Sequence, residues 1–413
     1  MARILVLSAF YPPHHFGGYE LSCHDVVERW RARGHDVHVL TSTHQWPEVH
    51  ADRDEPVDRT LRVYWRDFEQ WSPHPLVRLG VERHNQRALR DVLREHRPDV
   101  VSVWMMGWMS FGLLTTVVEH DLPMVCVLQD DWLAFGPSFD AWARLFLDRP
   151  RAARAVRGLT GVPTTIADIG ANSACCFISE DTRRHAEERS RWQFPIATTV
   201  WSGVDRSAFF PMPRREEWTW RLLYVGRIRR TKGLDTAITA LTDLPEAHLT
   251  VIGKGDPDYE AEVHALAAQL GVADRITWAV AASRDDLRAL YADADCLVFP
   301  SRWREPLGLV PLEAMACGTP VVATGRGGSG EFCIDEVTCL RFDANDASGL
   351  AACVRRLAGD ASLRARIVRG GFATADELTA DRLADVLEQW HIAAIDRFAN
   401  GTPADRELSL SRL

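Results

Sequence analysis

Lysine is nearly missing from this chain. Of 48 basic residues only Lys232 and Lys254 are lysine, and the rest are arginine. A bias this strong reflects a GC-rich genome more than a function. Both lysines nevertheless fall in glycine-containing loops behind expected strands, where a compact ammonium meets a phosphate as a point charge. No uninterrupted apolar run approaches the ~20 residues of a membrane helix, so no integral membrane segment is expected. No two of the nine cysteines form a C-x-x-C pair, and most, such as Cys126, Cys175, Cys176 and Cys296, lie in apolar runs. That argues for buried reduced thiols, with no disulfide and no zinc. A net positive charge is also lacking: the formal charge is −9. Broad nucleic-acid binding needs a basic face and is set aside, so any phosphate site must be local. The opening MARILVLSAFYPP has a short apolar run and no small-residue cleavage site. It reads as a first strand rather than a signal peptide, with a cytoplasmic location expected.

What is present fits two domains, because 413 residues exceed one ordinary core. The first half alternates strands and helices: Arg3 to Phe10 is apolar, Tyr19 to Arg33 has helical spacing, and Asp36 to Leu40 is a second strand. Further strands are expected at Val100 to Met105, Met124 to Leu128 and Ala174 to Ile178. Residues 42 to 75 show weak periodicity and read as a long irregular connection. Prolines and charges from Phe210 to Trp220 mark a boundary, after which the pattern restarts with strands at Leu222, His248, Ile276 and Cys296. Two successive Rossmann-like doubly wound α/β domains are the simplest reading. The expected domains are 1–210, 211–379 and a terminal helical segment, 380–413.

The densest signal is Pro300 to Ala323, PSRWREPLGLVPLEAMACGTPVVA, which places Glu305 and Glu313 across a strand-to-helix turn. Pro311 fits only in the first turn of a helix, which must then begin near Gly308 or Leu309. Free amides and the positive end of the helix dipole suit a phosphate there. Glu313, about a turn inside, can accept hydrogen bonds from a pair of sugar hydroxyls. Upstream, YVGRIRRTKGLD sets Arg227 and Lys232 in a loop that opens a helix, and FYPPHHFGGYE places Gly17 and Gly18 before another. Such glycines let a ligand approach the backbone, or merely make the turn. His14 and His15 beside them read most simply as surface histidines. Asp293 and Asp295 form a D-x-D, read as turn acids and not as a metal site. First-domain tryptophans, among them Trp104, Trp108 and Trp132, read as core aromatics before carbohydrate platforms.

The Pro300 to Ala323 segment resembles the signature of retaining glycosyltransferases of the GT4 family, which have the GT-B fold of two Rossmann-like domains facing a cleft. The resemblance implies that Glu305 contacts the transferred sugar and Glu313 the nucleotide ribose. It also implies that Arg227 and Lys232, with the helix start at Gly308 and Leu309, hold the diphosphate, and that Gly17 and Gly18 face it from the first domain. Glu331 follows glycines 327, 328 and 330, like the glycine-rich loop of the family. In VLQDDWLAFG, Gln129 stands where many relatives have histidine, with Asp130 as a candidate sugar contact. An amide cannot shuttle a proton, so no protein base is expected there. Val280 replaces a glycine frequent in relatives. The terminal helix is expected to return to the first domain.

The implied function is metal-independent transfer of a sugar, with retained configuration, from a nucleotide diphosphate sugar to a hydroxyl acceptor, with domain closure excluding water. UDP is favoured on family frequency. No cofactor is expected beyond that donor substrate, and the oligomeric state stays open. Two alternatives remain: an epimerase or hydrolase without acceptor, and a non-catalytic nucleotide-sugar-binding protein.

Overall fold

The computed structural model describes residues 1–46, 55–66, 69–215, 217–279 and 283–400. Val280 and residues 401–413 lie outside them. Two compact units emerge, Met1–Trp201 with Leu383–Leu413, and Ser202–Arg382.

The first unit is built on a seven-stranded parallel sheet. Its strands are β1 (Arg3–Leu7), β2 (Asp36–Ser42), β3 (Val57–Leu61), β6 (Val100–Val103), β7 (Met124–Leu128), β8 (Ala174–Phe177) and β9 (Ala197–Thr199), and a separate hairpin is formed by β4 (Trp65–Arg66) and β5 (Glu69–Gln70). The spatial order β3-β2-β1-β6-β7-β8-β9 reverses between β1 and β6. A parallel sheet is covered on both faces, so its strands read as continuous apolar runs. The MVCVL of β7 and ACCF of β8 are buried at every position. β3 was expected to be irregular. Its sequence VDRTL buries only Leu61, so it carries no apolar run to announce it, yet it pairs in parallel with β2 at the sheet edge.

The second unit holds a six-stranded parallel sheet of β10 (Arg221–Val225), β11 (His248–Ile252), β12 (Ile276–Ala279), β13 (Cys296–Phe299), β14 (Val321–Ala323) and β15 (Leu340–Arg341). The order is β12-β11-β10-β13-β14-β15. The strand order reverses between β10 and β13, and loops leaving the carboxyl ends of such a pair open a ligand crevice. The proline-containing stretch before β10 packs on this unit. Val204 pairs with Thr379, Arg206 donates to the Ala316 carbonyl at 3.1 Å, and Arg214 donates to Thr319 at 2.7 Å.

The terminal helix Ala380–Asn400 buries Leu383, Ala384, Leu387 and Trp390 in the same cluster as Ile4, Val6 and Trp30 of the first unit. Each such leucine removed from water contributes roughly 2 kcal/mol. Trp30 Nε1 donates to the Ala384 carbonyl at 3.1 Å, and Glu388 accepts from Arg33 at 2.5 Å. All nine cysteines are buried and unbonded to one another, and Trp104 and Trp132 are core residues. Among the described residues no helix is long and apolar enough to cross a membrane.

Candidate functional site

The chemistry-bearing residues of the second unit gather where its strand order reverses. After β10 the chain makes a short 3₁₀ turn, Arg230–Lys232, and leaves it through Gly233 at φ 69°. A β-carbon on Gly233 would lie 2.1 Å from the Pro300 carbonyl oxygen. Only glycine therefore lets this loop run against the exit of β13. The Thr231 carbonyl then accepts from the amides of Arg302 at 2.8 Å and Trp303 at 2.9 Å. The two loops are sewn together, and two side chains far apart in sequence meet. Lys232 Nζ donates to Glu305 Oε1 at 2.6 Å, and the Ser301 hydroxyl donates to the same oxygen at 2.5 Å. Glu305 is only 4% exposed. Burying this carboxylate is tolerable because a cation and a hydroxyl meet it.

The backbone of Glu305 is fixed as tightly. Its carbonyl accepts from Gly328 N at 2.7 Å and its amide donates to the Arg326 carbonyl at 3.2 Å. Gly327, at φ 70°, would put a β-carbon 2.5 Å from the Glu305 carbonyl oxygen. The glycine-rich loop is thus the bed on which Glu305 rests, and Glu331 closes its 3₁₀ turn, Gly328–Glu331.

Gly308, at φ 91°, precedes the helix Leu309–Ala316, which carries Pro311 in its first turn as expected. The opening amides of a helix have no intrahelical acceptor, so this end carries the partial positive charge of the helix dipole. Glu313 is half-buried on that helix, and its Oε2 accepts from the Tyr291 hydroxyl at 2.8 Å. Arg227 is exposed at the start of the loop after β10. The unit thus brings Lys232 and Glu305 into contact and sets Arg227, Gly308, Leu309 and Glu313 on the elements around them. Lys254 is exposed, and its carbonyl accepts from Ile228 N at 3.1 Å.

The first unit carries the remaining candidates. Gly17 precedes the helix Gly18–Ala32 with φ 177°, extended backbone open to any residue, and a β-carbon there would meet nothing within 4 Å. Neither strain nor packing calls for glycine, so the turn does not explain it. Its amide donates to Glu20 Oε2 at 3.0 Å. Gln129 is buried and donates from Nε2 to the Ser22 hydroxyl at 2.8 Å. Asp130 is partly buried and accepts from Trp132 N at 2.9 Å. Burial first, then the charges of Asp131 and Glu20 against the opposing amide bond, push its carboxyl up to about 7. His14 is not a surface residue: it is 2% exposed, and its Nδ1 accepts from Trp46 N at 3.1 Å. Its own amide donates to the carbonyl of buried Tyr11 at 3.2 Å, which turns it inward.

Two participants escaped the sequence reading. Ser301 lies four residues before Glu305 in an irregular loop, and Tyr291 sits on the preceding helix, where nothing in its spacing points to Glu313. The D-x-D acids are clamps. Asp293 pairs with Arg215 and Arg221, and Asp295 accepts from Thr219 N at 2.9 Å and Arg221 N at 2.8 Å.

Residues 205–373 match the family described as Glycosyl transferases group 1, and residues 16–208 match Glycosyltransferase Family 4. A D-inositol 3-phosphate glycosyltransferase of Xylanimonas cellulosilytica is 36% identical over 422 residues, covering 94% of this chain and 92% of the relative. A glycogen synthase of Mycobacterium tuberculosis is 29% identical over 403 residues, covering 92% and 91%. Among solved structures, HepE of Anabaena in complex with UDP-glucose superposes with a TM-score of 0.68 at 18% identity, over 94% of this chain and 99% of that one. With two doubly wound sheets, the reversal-point loops joined through Lys232 and Glu305, and matches along almost its whole length, the chain belongs to the GT4 family of glycosyltransferases, with the GT-B fold.

Proposed function

We propose that the protein transfers a sugar from a nucleoside diphosphate sugar to an acceptor hydroxyl with retained anomeric configuration, that the donor is a uridine nucleotide, and that no metal is needed. The contact of Lys232 with the buried Glu305, beside the helix start at Gly308, carries this reading. An ammonium fixed by its carboxylate, together with Arg227 and the free helical amides, forms a cationic edge. On it a diphosphate finds its charge balanced by side chains and a dipole. In this reading Lys232, Arg227 and the amides at Gly308 and Leu309 hold the diphosphate. Glu305 orients the sugar and Glu313, steadied by Tyr291, takes the ribose hydroxyls. Gly17 and Gly18 offer backbone to the donor diphosphate, Asp130 touches the sugar, and Glu331 lies at the edge of the donor site.

In the reaction the bond between C1 and the β-phosphate oxygen breaks, and the electron pair leaves with the nucleoside diphosphate. Lys232 and Arg227 stabilise that charge as it develops. The acceptor oxygen bonds to C1 on the face the leaving group vacates, and its proton passes to the departing phosphate. Buried Gln129 hydrogen-bonds but takes no proton. The uridine assignment is supported by HepE, which was solved with UDP-glucose, and by family frequency. We further propose that the chain divides functionally into 1–210 for the acceptor, 211–379 for the donor and a terminal segment from 380, and that it acts in the cytoplasm.

The test is incubation of the protein with UDP-glucose and a panel of acceptors in EDTA, with the anomeric coupling of the product read by NMR. An axial product from the axial donor, with equimolar UDP released, is the expected result. An equatorial product, dependence on added metal, or sugar release without acceptor would overturn the corresponding part.

A further inference from the structure

Three side chains outside that site converge at the end of the first unit's sheet where the strands begin. His38 is the third residue of β2, Asp58 the second of β3, and His96 ends the helix Pro75–His96. The parallel register sets Asp58 beside Leu40, so His38 lies two residues back on the same face. His38 Nε2 is 3.0 Å from Asp58 Oδ2. The imidazoles of His38 and His96 stack with centroids 3.7 Å apart and planes inclined by 22°. One ligand atom from each of the three residues lies within 4.8 Å of the others.

We propose that His38, Asp58 and His96 form a binding site for a divalent first-row transition metal of the zinc class, which clamps the edge strand β3 and the end of the helix to β2. A divalent ion takes a nitrogen from both imidazoles and balances its charge on the carboxylate. Bonds of about 2.0–2.2 Å require ligand atoms about 3.4 Å apart in a tetrahedral site, which side-chain rotation of about an ångström supplies. An N,N,O donor set suits zinc, nickel, copper or cobalt, whereas calcium and magnesium prefer oxygen throughout.

The surrounding charges allow it. Arg31 faces His38, but Glu28 and the Val37 carbonyl engage its guanidinium at 2.8 and 3.2 Å. Arg3 and Asp36 lie beside both imidazoles, and the Asp58 side chain is 42% exposed, so the cluster is open to bulk water on that side. A second cluster, His24, Glu28 and Glu55, has similar spacing, but Arg31 and Arg59 lie against Glu55 and supply its positive charge. Gly17 and Gln129 follow the opposite, carboxyl ends of β1 and β7, so the ion would act on stability and not on transfer.

The experiment is calorimetric titration of EDTA-stripped protein with ZnCl₂, paired with Co²⁺ absorption spectra. One zinc per chain with a dissociation constant of about 10 μM or lower, a raised melting temperature, and unchanged transfer activity are expected. His96→Ala and Asp58→Asn should each weaken binding about tenfold or more while melting like wild type in EDTA, and His24→Ala should bind normally. Undiminished affinity in both variants, or no binding at 100 μM zinc, would overturn the site. Because a variant can fail for structural reasons, the wild-type cobalt spectrum decides independently. Nitrogen and oxygen coordination supports the assignment, and a thiolate charge-transfer band refutes it.

Discussion

Replacing Glu82 by glutamine should change how stability depends on pH. Glu82 lies on the helix Pro75–His96 with no exposed surface. The Tyr64 hydroxyl donates to its Oε1 at 2.6 Å, and the Ser110 hydroxyl also lies against the carboxyl group. Nearby Asp140 accepts from the amides of Phe111, Trp142 and Ala143, an arrangement that favours placing the cluster's negative charge there. Burial first, and then Asp140, push Glu82 from 4.5 to about 8. The folded chain therefore keeps a proton that the unfolded chain loses above pH 4.5, and stability falls as pH rises from there through about 8. His391 works in the other direction. Burial depresses it from 6.5 to about 4, so its contribution is present above pH 6.5 and is lost as pH falls toward 4. Between pH 4.5 and 6.5 the two slopes oppose each other, and above 6.5 Glu82 acts without that offset. At about 1.4 kcal/mol per pH unit, the rise from 6.5 to 8 removes roughly 2 kcal/mol. Glu82→Gln keeps the volume and abolishes this titration. Asp130 and Asp140, whose carboxyls burial also raises, have the same sign but are common to both proteins, so they cancel in the difference. Urea unfolding at pH 6.5, 7.2 and 8, followed through amide exchange in the helix Pro75–His96, reads the effect. The wild-type curve should fall by about 2 kcal/mol relative to the variant. Parallel profiles would refute the protonated state of Glu82.

Gly233→Ala should destabilise the second unit by more than about 3 kcal/mol, because its β-carbon would strike the Pro300 carbonyl at 2.1 Å. Gly17→Ala should melt within about 0.5 kcal/mol of wild type yet lose donor affinity, and unchanged affinity would remove Gly17 from the donor site. Lys232→Met should cost about 3 kcal/mol by leaving the buried Glu305 without its cation. Adding Glu305→Gln should recover most of that stability in thermal melts and none of the transferase activity. Tyr291→Phe deletes the 2.8 Å bond to Glu313 and should raise the donor KM about fivefold with kcat little changed. An unaltered KM would detach Glu313 from ribose binding.

How much of this was legible depends on whether a feature is fixed locally. The strands Met124–Leu128 and Cys296–Phe299 lie where apolar runs placed them, because strands covered on both faces are apolar throughout. The helix start at Leu309 was legible from Pro311, whose missing N–H fits only a first turn. β3 was not, since an edge strand needs no apolar run. The same contrast runs through the candidate site. Glu305 and Glu313 stand out as a spaced pair, but the sequence treats them alike and the structure does not. Glu305 is held by Lys232 and Ser301 in a buried ion pair, while half-buried Glu313 meets the Tyr291 hydroxyl. Those partners come from other loops and helices, through contacts that no spacing encodes. Gly233 shows how the chain specifies them all the same: one residue without a β-carbon admits the close approach that sets Lys232 against Glu305. The electrostatic character of the site therefore rests on a steric allowance at a neighbouring residue. A substitution at Gly233 should uncouple the pair even though both charged side chains remain.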